Sequence, residues 1–227
     1  IDFPILQAIR DGGATDYFAM ALPRSDGDAN RCSFSIDRPE GFSEPELARL
    51  AALRPHIGVI TELQSRARMT RSLLNLYLGP EAGSRVYNGQ IKRGEGMAIR
   101  SVLWISDLRG FAHLSEDEPL ERLTATLNDY FTAMIEPVHA GGGEVLKLIG
   151  DGVLAIFRIE QDSDVAGTCA AALKAAEQAL ANMALMNQQR GGEGKPALGA
   201  GIALHVGDAM YGNVGAQDRL DFTVIGP

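Results

Sequence analysis

From residue 101 to residue 225, short apolar runs alternate with two helix-length segments, and that order restricts the fold more than any other feature of the chain. The runs at 101–106, 144–149, 153–157, 198–206, 209–214 and 222–225 are rich in Val, Ile, Leu and Phe, the composition of strands. Between them Leu120, Leu123, Leu127, Tyr130, Met134 and Val138 recur at helical spacing, and 162–189 is an alanine-rich helix with Leu173, Leu180, Met183 and Met186 turned inward. Strands and helices in this order predict an α+β fold, an open sheet backed by helices on one side. Ser115-x-x-Glu118 followed by Pro119 predicts a capping box at the start of the first helix, and Gly141-Gly142-Gly143 its end. Asp-Gly within Gly150-Asp151-Gly152 predicts a hairpin turn.

The first hundred residues read differently. Residues 1–42 carry strand-like runs at 17–22 and 32–36 between Gly, Asp, Pro and Ser clusters, as at the end of an α+β domain. Ser43-Glu44-Pro45-Glu46 opens a helix in which Leu50, Leu53, Ile57 and Ile60 form a short coiled-coil-like seam, interrupted early by Pro55. That helix suits either packing on its own domain or forming a dimeric connector. Residues 77–98, rich in Gly and charge, read as a linker.

Composition excludes several classes. With 45% hydrophobic and 22% charged residues, neither general disorder nor a coiled-coil rod fits the whole chain. A net charge of −8 argues against nucleic acid as the partner, because counterion release needs clustered Lys and Arg. Cys32 and Cys169 make neither a disulfide framework nor a zinc spacing, which points to a reducing, cytoplasmic setting. No apolar stretch is long enough to span a membrane; 165–186 is broken by Lys174 and Glu177. The ends, Ile1 and Gly226-Pro227, read as cuts in a longer protein.

Asp107 follows the first strand of the second half, and Asp151 sits at a hairpin tip between glycines. Two carboxylates at the ends of apolar strands can share hard divalent cations and leave positions open for phosphate. Gly110 and Gly150 let the backbone approach a phosphate near each. Alone, each aspartate has a plainer explanation, Asp107 as the start of a loop and Asp151 as a turn residue. No Walker loop, dinucleotide fingerprint, Ser-His-Asp set or HExxH appears, and His205 reads as a packed strand residue.

Four ordered segments then carry a resemblance. Val102-Leu103-Trp104-Ile105-Ser106-Asp107-Leu108-Arg109-Gly110-Phe111 is the first, and Gly142-Gly143-Glu144-Val145-Leu146-Lys147-Leu148-Ile149-Gly150-Asp151-Gly152-Val153-Leu154-Ala155-Ile156-Phe157 the second. The third runs over 201–215 and the last is Arg219-Leu220-Asp221-Phe222-Thr223-Val224-Ile225-Gly226. In order and spacing they resemble the class III nucleotidyl cyclase catalytic domain over about residues 98–227. The resemblance implies a ferredoxin-like sheet with helices, and a homodimer joined through the catalytic domains and helical connector, with active sites between them. Asp107 and Asp151 would bind two Mg²⁺ or Mn²⁺ ions, with the Leu108 carbonyl as a further ligand. Leu108, Arg109, Gly110, Phe111 and Ala112 would cradle the triphosphate, and Arg219 resembles a position near the phosphates. Lys147 and Thr223 match the pair that reads the purine, and Lys with Thr goes with ATP, where guanine-selective members carry Glu and Cys.

Two departures stand out. Ala112 replaces a common threonine, and the family's transition-state asparagine and arginine fall beyond Pro227. Residues 1–60 resemble, less specifically, the closing part of a GAF-type sensor, with 61–97 as a helical transducer. The expected activity is adenylate cyclase. Alternatives are an inactive cyclase-like regulatory module, a guanylate cyclase or, last, a diguanylate cyclase, whose signature turn Gly142-Gly143-Glu144-Val145 does not complete.

Overall fold

The computed structural model describes residues 4–226; residues 1–3 and 227, the extremes of the first and last expected segments, lie outside it. The chain divides into two compact units, 1–70 and 71–227.

The first unit holds helix α1 (Pro4–Asp11), strands β1 (Asp16–Pro23) and β2 (Ala29–Ile36), paired antiparallel, and most of helix α2 (Glu44–Leu78). Both strands fall where strand composition placed them, while α1 was not expected. Ser43 N–H donates to Glu46 Oε2 at 2.8 Å, half of a capping box that starts α2. The helix continues through Pro55, contrary to the expected interruption. The carbonyl that Pro55 leaves without a donor belongs to Ala51, which is exposed, so water can satisfy it. Gly58 is buried against Pro23, where a Cβ would lie 3.1 Å from the Pro23 carbonyl oxygen. Of the apolar seam, Leu53 and Ile60 are exposed, while Leu50 and Ile57 are partly covered.

In the second unit, β3 (Gly96–Arg109) is the centre of a five-stranded antiparallel sheet. Its strands are ordered β4 (Glu144–Ile149), β5 (Gly152–Ile159), β3, β6 (Gly199–Gly215) and β7 (Leu220–Ile225). Helices α5 (Leu120–Ala140) and α6 (Val165–Gly192) pack on one face, where Trp104, Tyr130, Met134, Val138 and Phe157 are fully or almost fully buried. Each such side chain contributes roughly 1.5–3 kcal/mol by leaving water. A smaller core on the other face joins Ile99, Leu146, Ile156, Tyr211 and Phe222 to Ala82 of helix α3 (Pro80–Tyr87). The expected α+β sheet backed by helices is therefore present, with α3 covering part of the second face.

Several boundaries shift for physical reasons. The expected linker at 77–98 contains α3 and the start of β3, since Pro80 suits a first helical turn after the positive-φ Gly79. The two runs expected at 198–206 and 209–214 form one long strand, β6, its Gly207 continuing the ladder opposite Ser101. The capping box does not form. Ser115 lies in the last turn of helix α4 (Phe111–Asp117), where its hydroxyl donates to the Ala112 carbonyl at 2.7 Å. Pro119 forces Glu118 into an extended conformation, breaking the helical register between Ser115 and α5.

Candidate active site

Asp107 sits within β3, opposite Gly201 of β6, rather than in a loop. A Cβ on Gly201 would lie 2.6 Å from Asp107 Oδ1, so the exposed carboxylate occupies space that only glycine leaves free. Arg109 crosses the same strand, its Nε 3.8 Å from that Cβ position. Together with Ile105, Ser106, Ile202 and Ala203 they line an open cavity of about 350 Å³.

Beyond Ser106, β3 loses its partner on β5. Asp151 fills part of the gap, its Oδ2 accepting the Leu108 N–H at 3.2 Å. In an extended strand a residue's N–H and C=O leave by the same edge, so the Leu108 carbonyl faces the side from which Asp151 approaches. Asp151 is the second residue of a two-residue turn, because Ile149 pairs with Gly152. Gly150, at φ +63°, supplies the positive φ that such a turn requires. The turn is therefore Gly150-Asp151 and not the expected Asp-Gly. At the other end of the segment Gly110, at φ +76°, lets the chain leave β3 and enter α4 at Phe111, followed by Ala112.

Tyr130 lies beneath this junction, fully buried, its hydroxyl 3.4 Å from Ser106 Oγ. Burial, opposed by the Ser106 contact and reinforced by the charges of Asp107 and Asp151, pushes its phenol up to about 12, so it stays protonated. The donor set is two carboxylates and a carbonyl, hard oxygens that suit Mg²⁺ or Mn²⁺, next to a cradle that a Cβ would fill. Among the described residues no three His, Cys, Asp or Glu side chains group as metal ligands, so further ligands would come from outside them.

Lys147 and Thr223 belong to a second cluster. A bulge between Val145 and Lys147 re-aims the lysine, whose ammonium pairs with Asp221 across the two edge strands. Thr223 lies two residues further along β7, opposite Gly212. Arg219 is exposed in the β6–β7 connection and makes no ion pair among the described residues; its carbonyl accepts the Ala216 N–H at 2.8 Å. Among the described residues, no hydrogen bond or ion pair joins the Lys147 cluster to the aspartates.

The fold of the second unit has counterparts in solved structures. The adenylyl cyclase CyaB of P. aeruginosa is 31% identical, with TM-score 0.53, over 58% of this chain and 68% of that one. The chain belongs to the class III nucleotidyl cyclase family. Its catalytic-domain fold also matches the guanylyl cyclase Cya2, at 29% identity and TM-score 0.51, over 58% of this chain and 66% of that one. The adenylate cyclase of Anabaena cylindrica is 34% identical over 137 residues, 60% of this chain and 26% of that protein. The chain thus spans about a quarter of that relative's length. No known family's profile matches the chain. Relatives of both base preferences leave the choice of nucleotide to the residues themselves.

Three residues placed around these two clusters escaped sequence reasoning. Gly201 and Tyr130 act through close approach and burial, which need the strand register. Asp221 gave one signal, an acidic residue two places before Thr223 on the same strand.

No helix among the described residues is long and apolar enough to cross a membrane.

Proposed function

We propose that this chain carries the catalytic domain of an adenylate cyclase, converting ATP to 3′,5′-cyclic AMP and pyrophosphate. The observation that carries this reading is the junction at which Asp151 holds the Leu108 N–H while Asp107 lies over Gly201. Asp107, Asp151 and the Leu108 carbonyl would hold two Mg²⁺ or Mn²⁺ ions, which supply Lewis acidity to the attacking and leaving oxygens. Beyond Leu108, whose N–H is held by Asp151, the backbone N–H groups of Arg109, Gly110, Phe111 and Ala112 would cradle the triphosphate, with Gly150 opposite and Arg219 adding charge. The ribose 3′-hydroxyl then attacks the α-phosphate in line and pyrophosphate leaves.

Lys147 and Thr223 select the base. An ammonium donates to adenine N1 and a hydroxyl accepts from the exocyclic amine, whereas guanine presents the opposite pattern and leaves both unpaired. Asp221 orients Lys147 for that contact.

Separation of the two clusters supports sites shared between two copies of the chain, the lysine of one copy serving the aspartates of the other. Exposed Ile105, Leu148 and Ile149 border the aspartates, as a surface covered by a partner would. On α2 and just beyond the first unit, exposed Val59, Leu63, Leu73 and Tyr77 extend the expected connector. In this reading residues 1–60 close a GAF-like sensory domain, 61–97 transduce its state and 98–227 catalyse.

The test is product identification after incubation with ATP or GTP and Mg²⁺ or Mn²⁺. Cyclic AMP supports the reading, preferential cyclic GMP moves the chain to the guanylyl branch, and nucleotide binding without product leaves a regulatory module.

A further inference from the structure

Away from the aspartates, the ends of α5 and α6 enclose a cavity of about 170 Å³ lined by Glu118, Arg122, Thr126, Asp129, Arg190 and Lys195, among others. Arg190 has only 9% of its side chain exposed. Its Nε donates to the Pro196 carbonyl at 3.0 Å and its Nη1 to Thr126 Oγ1 at 3.3 Å. Its Nη2 is buried with no hydrogen-bond partner among the described residues. The nearest ion-pair partner, Glu118 Oε1, stands 3.9 Å away, beyond hydrogen-bond reach. A guanidinium keeps its proton in a protein, so this is a buried charge whose contact partner is missing beside open space.

We propose that this cavity binds a small oxyanion, inorganic phosphate or a simple carboxylate. Guanidinium N–H groups match the geometry of such oxygens and bond them more strongly than neutral donors do. Thr126, buried in the same wall, accepts from Arg190 and keeps its own proton for a ligand oxygen. Arg122 adds charge from the exposed rim and makes no ion pair among the described residues. Of the acidic residues lining the cavity, Glu193 is matched by Lys195 at 2.6 Å, Asp129 is exposed to solvent, which screens its charge, and Glu118 is the group with which the anion competes for Arg190. The volume lies below the ~300–1,000 Å³ of drug-sized sites yet holds several waters at ~30 Å³ each, so it fits an ion and excludes a nucleotide.

This assignment is independent of the cyclase reading. It is tested by thermal unfolding and calorimetry of the full chain with sodium phosphate, with sodium acetate and with chloride at matched ionic strength, without nucleotide or divalent ions. Phosphate or acetate should raise the midpoint saturably, as any ligand of the folded state does. Arg122→Gln, at the rim and harmless to the fold, and Thr126→Val should each weaken binding about tenfold or more, a change of ~1.4 kcal/mol. Thr126→Ser should restore it. Arg109→Gln should leave it unchanged, because that residue ends β3 beside the aspartates. Loss of binding in Arg109→Gln with retention in the other two variants would assign the phosphate to the cavity beside the aspartates and overturn the proposal. So would a midpoint no different from that in chloride.

Discussion

At the scale of single residues, the aspartates and the glycine beneath them make separable claims. Asp151→Asn keeps an oxygen to accept the Leu108 N–H, so the fold should survive while a charged metal ligand is lost. Turnover should vanish for both Asp107→Asn and Asp151→Asn, with unfolding midpoints near the parent's in the absence of metal. Stabilisation by Mn²⁺, read in the same melts, should disappear. Gly201→Ala tests the cradle by a different route. The new methyl would meet a flexible carboxylate oxygen rather than backbone, so Asp107 swings aside at a stability cost of about 1 kcal/mol or less. Activity should fall far more than stability, and a fully active Gly201→Ala would show that the carboxylate need not lie there. Glu144 is a titration claim. Burial raises its carboxyl above the ordinary value, against the opposing Tyr211 hydrogen bond and the Arg158 charge. The folded state therefore holds that proton more tightly than the unfolded one, giving stability that is full below the unfolded value and lost as pH rises through the raised one. Glu144→Gln still accepts from Tyr211 and cannot ionise. Urea midpoints across the acidic to neutral range should show the variant gaining on the parent as pH rises, and the opposite trend would mean the Arg158 charge outweighs burial.

At the scale of elements, the turn from α2 into α3 rests on Gly83. A Cβ there would stand 2.8 Å from the Leu74 carbonyl carbon and 2.9 Å from Asn75 N, both backbone, which cannot move as a side-chain tip can. Gly83→Ala should destabilise the catalytic unit by ~1–3 kcal/mol, measured by denaturant unfolding, because α3 must lift off. Sequence periodicity could not foresee this helix. Eight residues containing Pro80 and Gly83 carry linker composition, and only their fit against Asn75 and the Ala82 contact with the sheet make them helical. The strands were legible because Val102, Trp104, Val153 and Phe157 alternate or run apolar as buried strands do. Their lengths were not, since Asp107 and Gly207 look like terminators and are held in the ladder by pairing with Gly201 and Ser101. The aspartates stood out beside glycines at the ends of apolar runs, whereas Lys147 and Thr223 stood out only through the order and spacing of the family-like segments. The bulge that aims Lys147 left no trace in composition, because an extra residue in a strand is visible only against its partner.

At the scale of the whole molecule, the two clusters decide how many copies a working site needs. Lys147 pairs with Asp221 at the sheet's edges, the aspartates gather at the Leu108 junction, and no polar contact joins the two among the described residues. If each site takes aspartates from one copy and the lysine from another, dilution should lower specific activity. A dead Asp107→Asn chain mixed with a dead Lys147→Ala chain should then recover activity. The arithmetic is specific. In a random mixture half of the dimers are mixed, and each has one intact site out of two, so recovery should approach about a quarter of parental activity when subunits exchange freely. Varying the ratio of the two dead chains at constant total concentration should give a maximum at equal amounts. A mixture that stays as inactive as its components, while mass measurements show subunit exchange, would place the lysine and the aspartates of one site in the same chain.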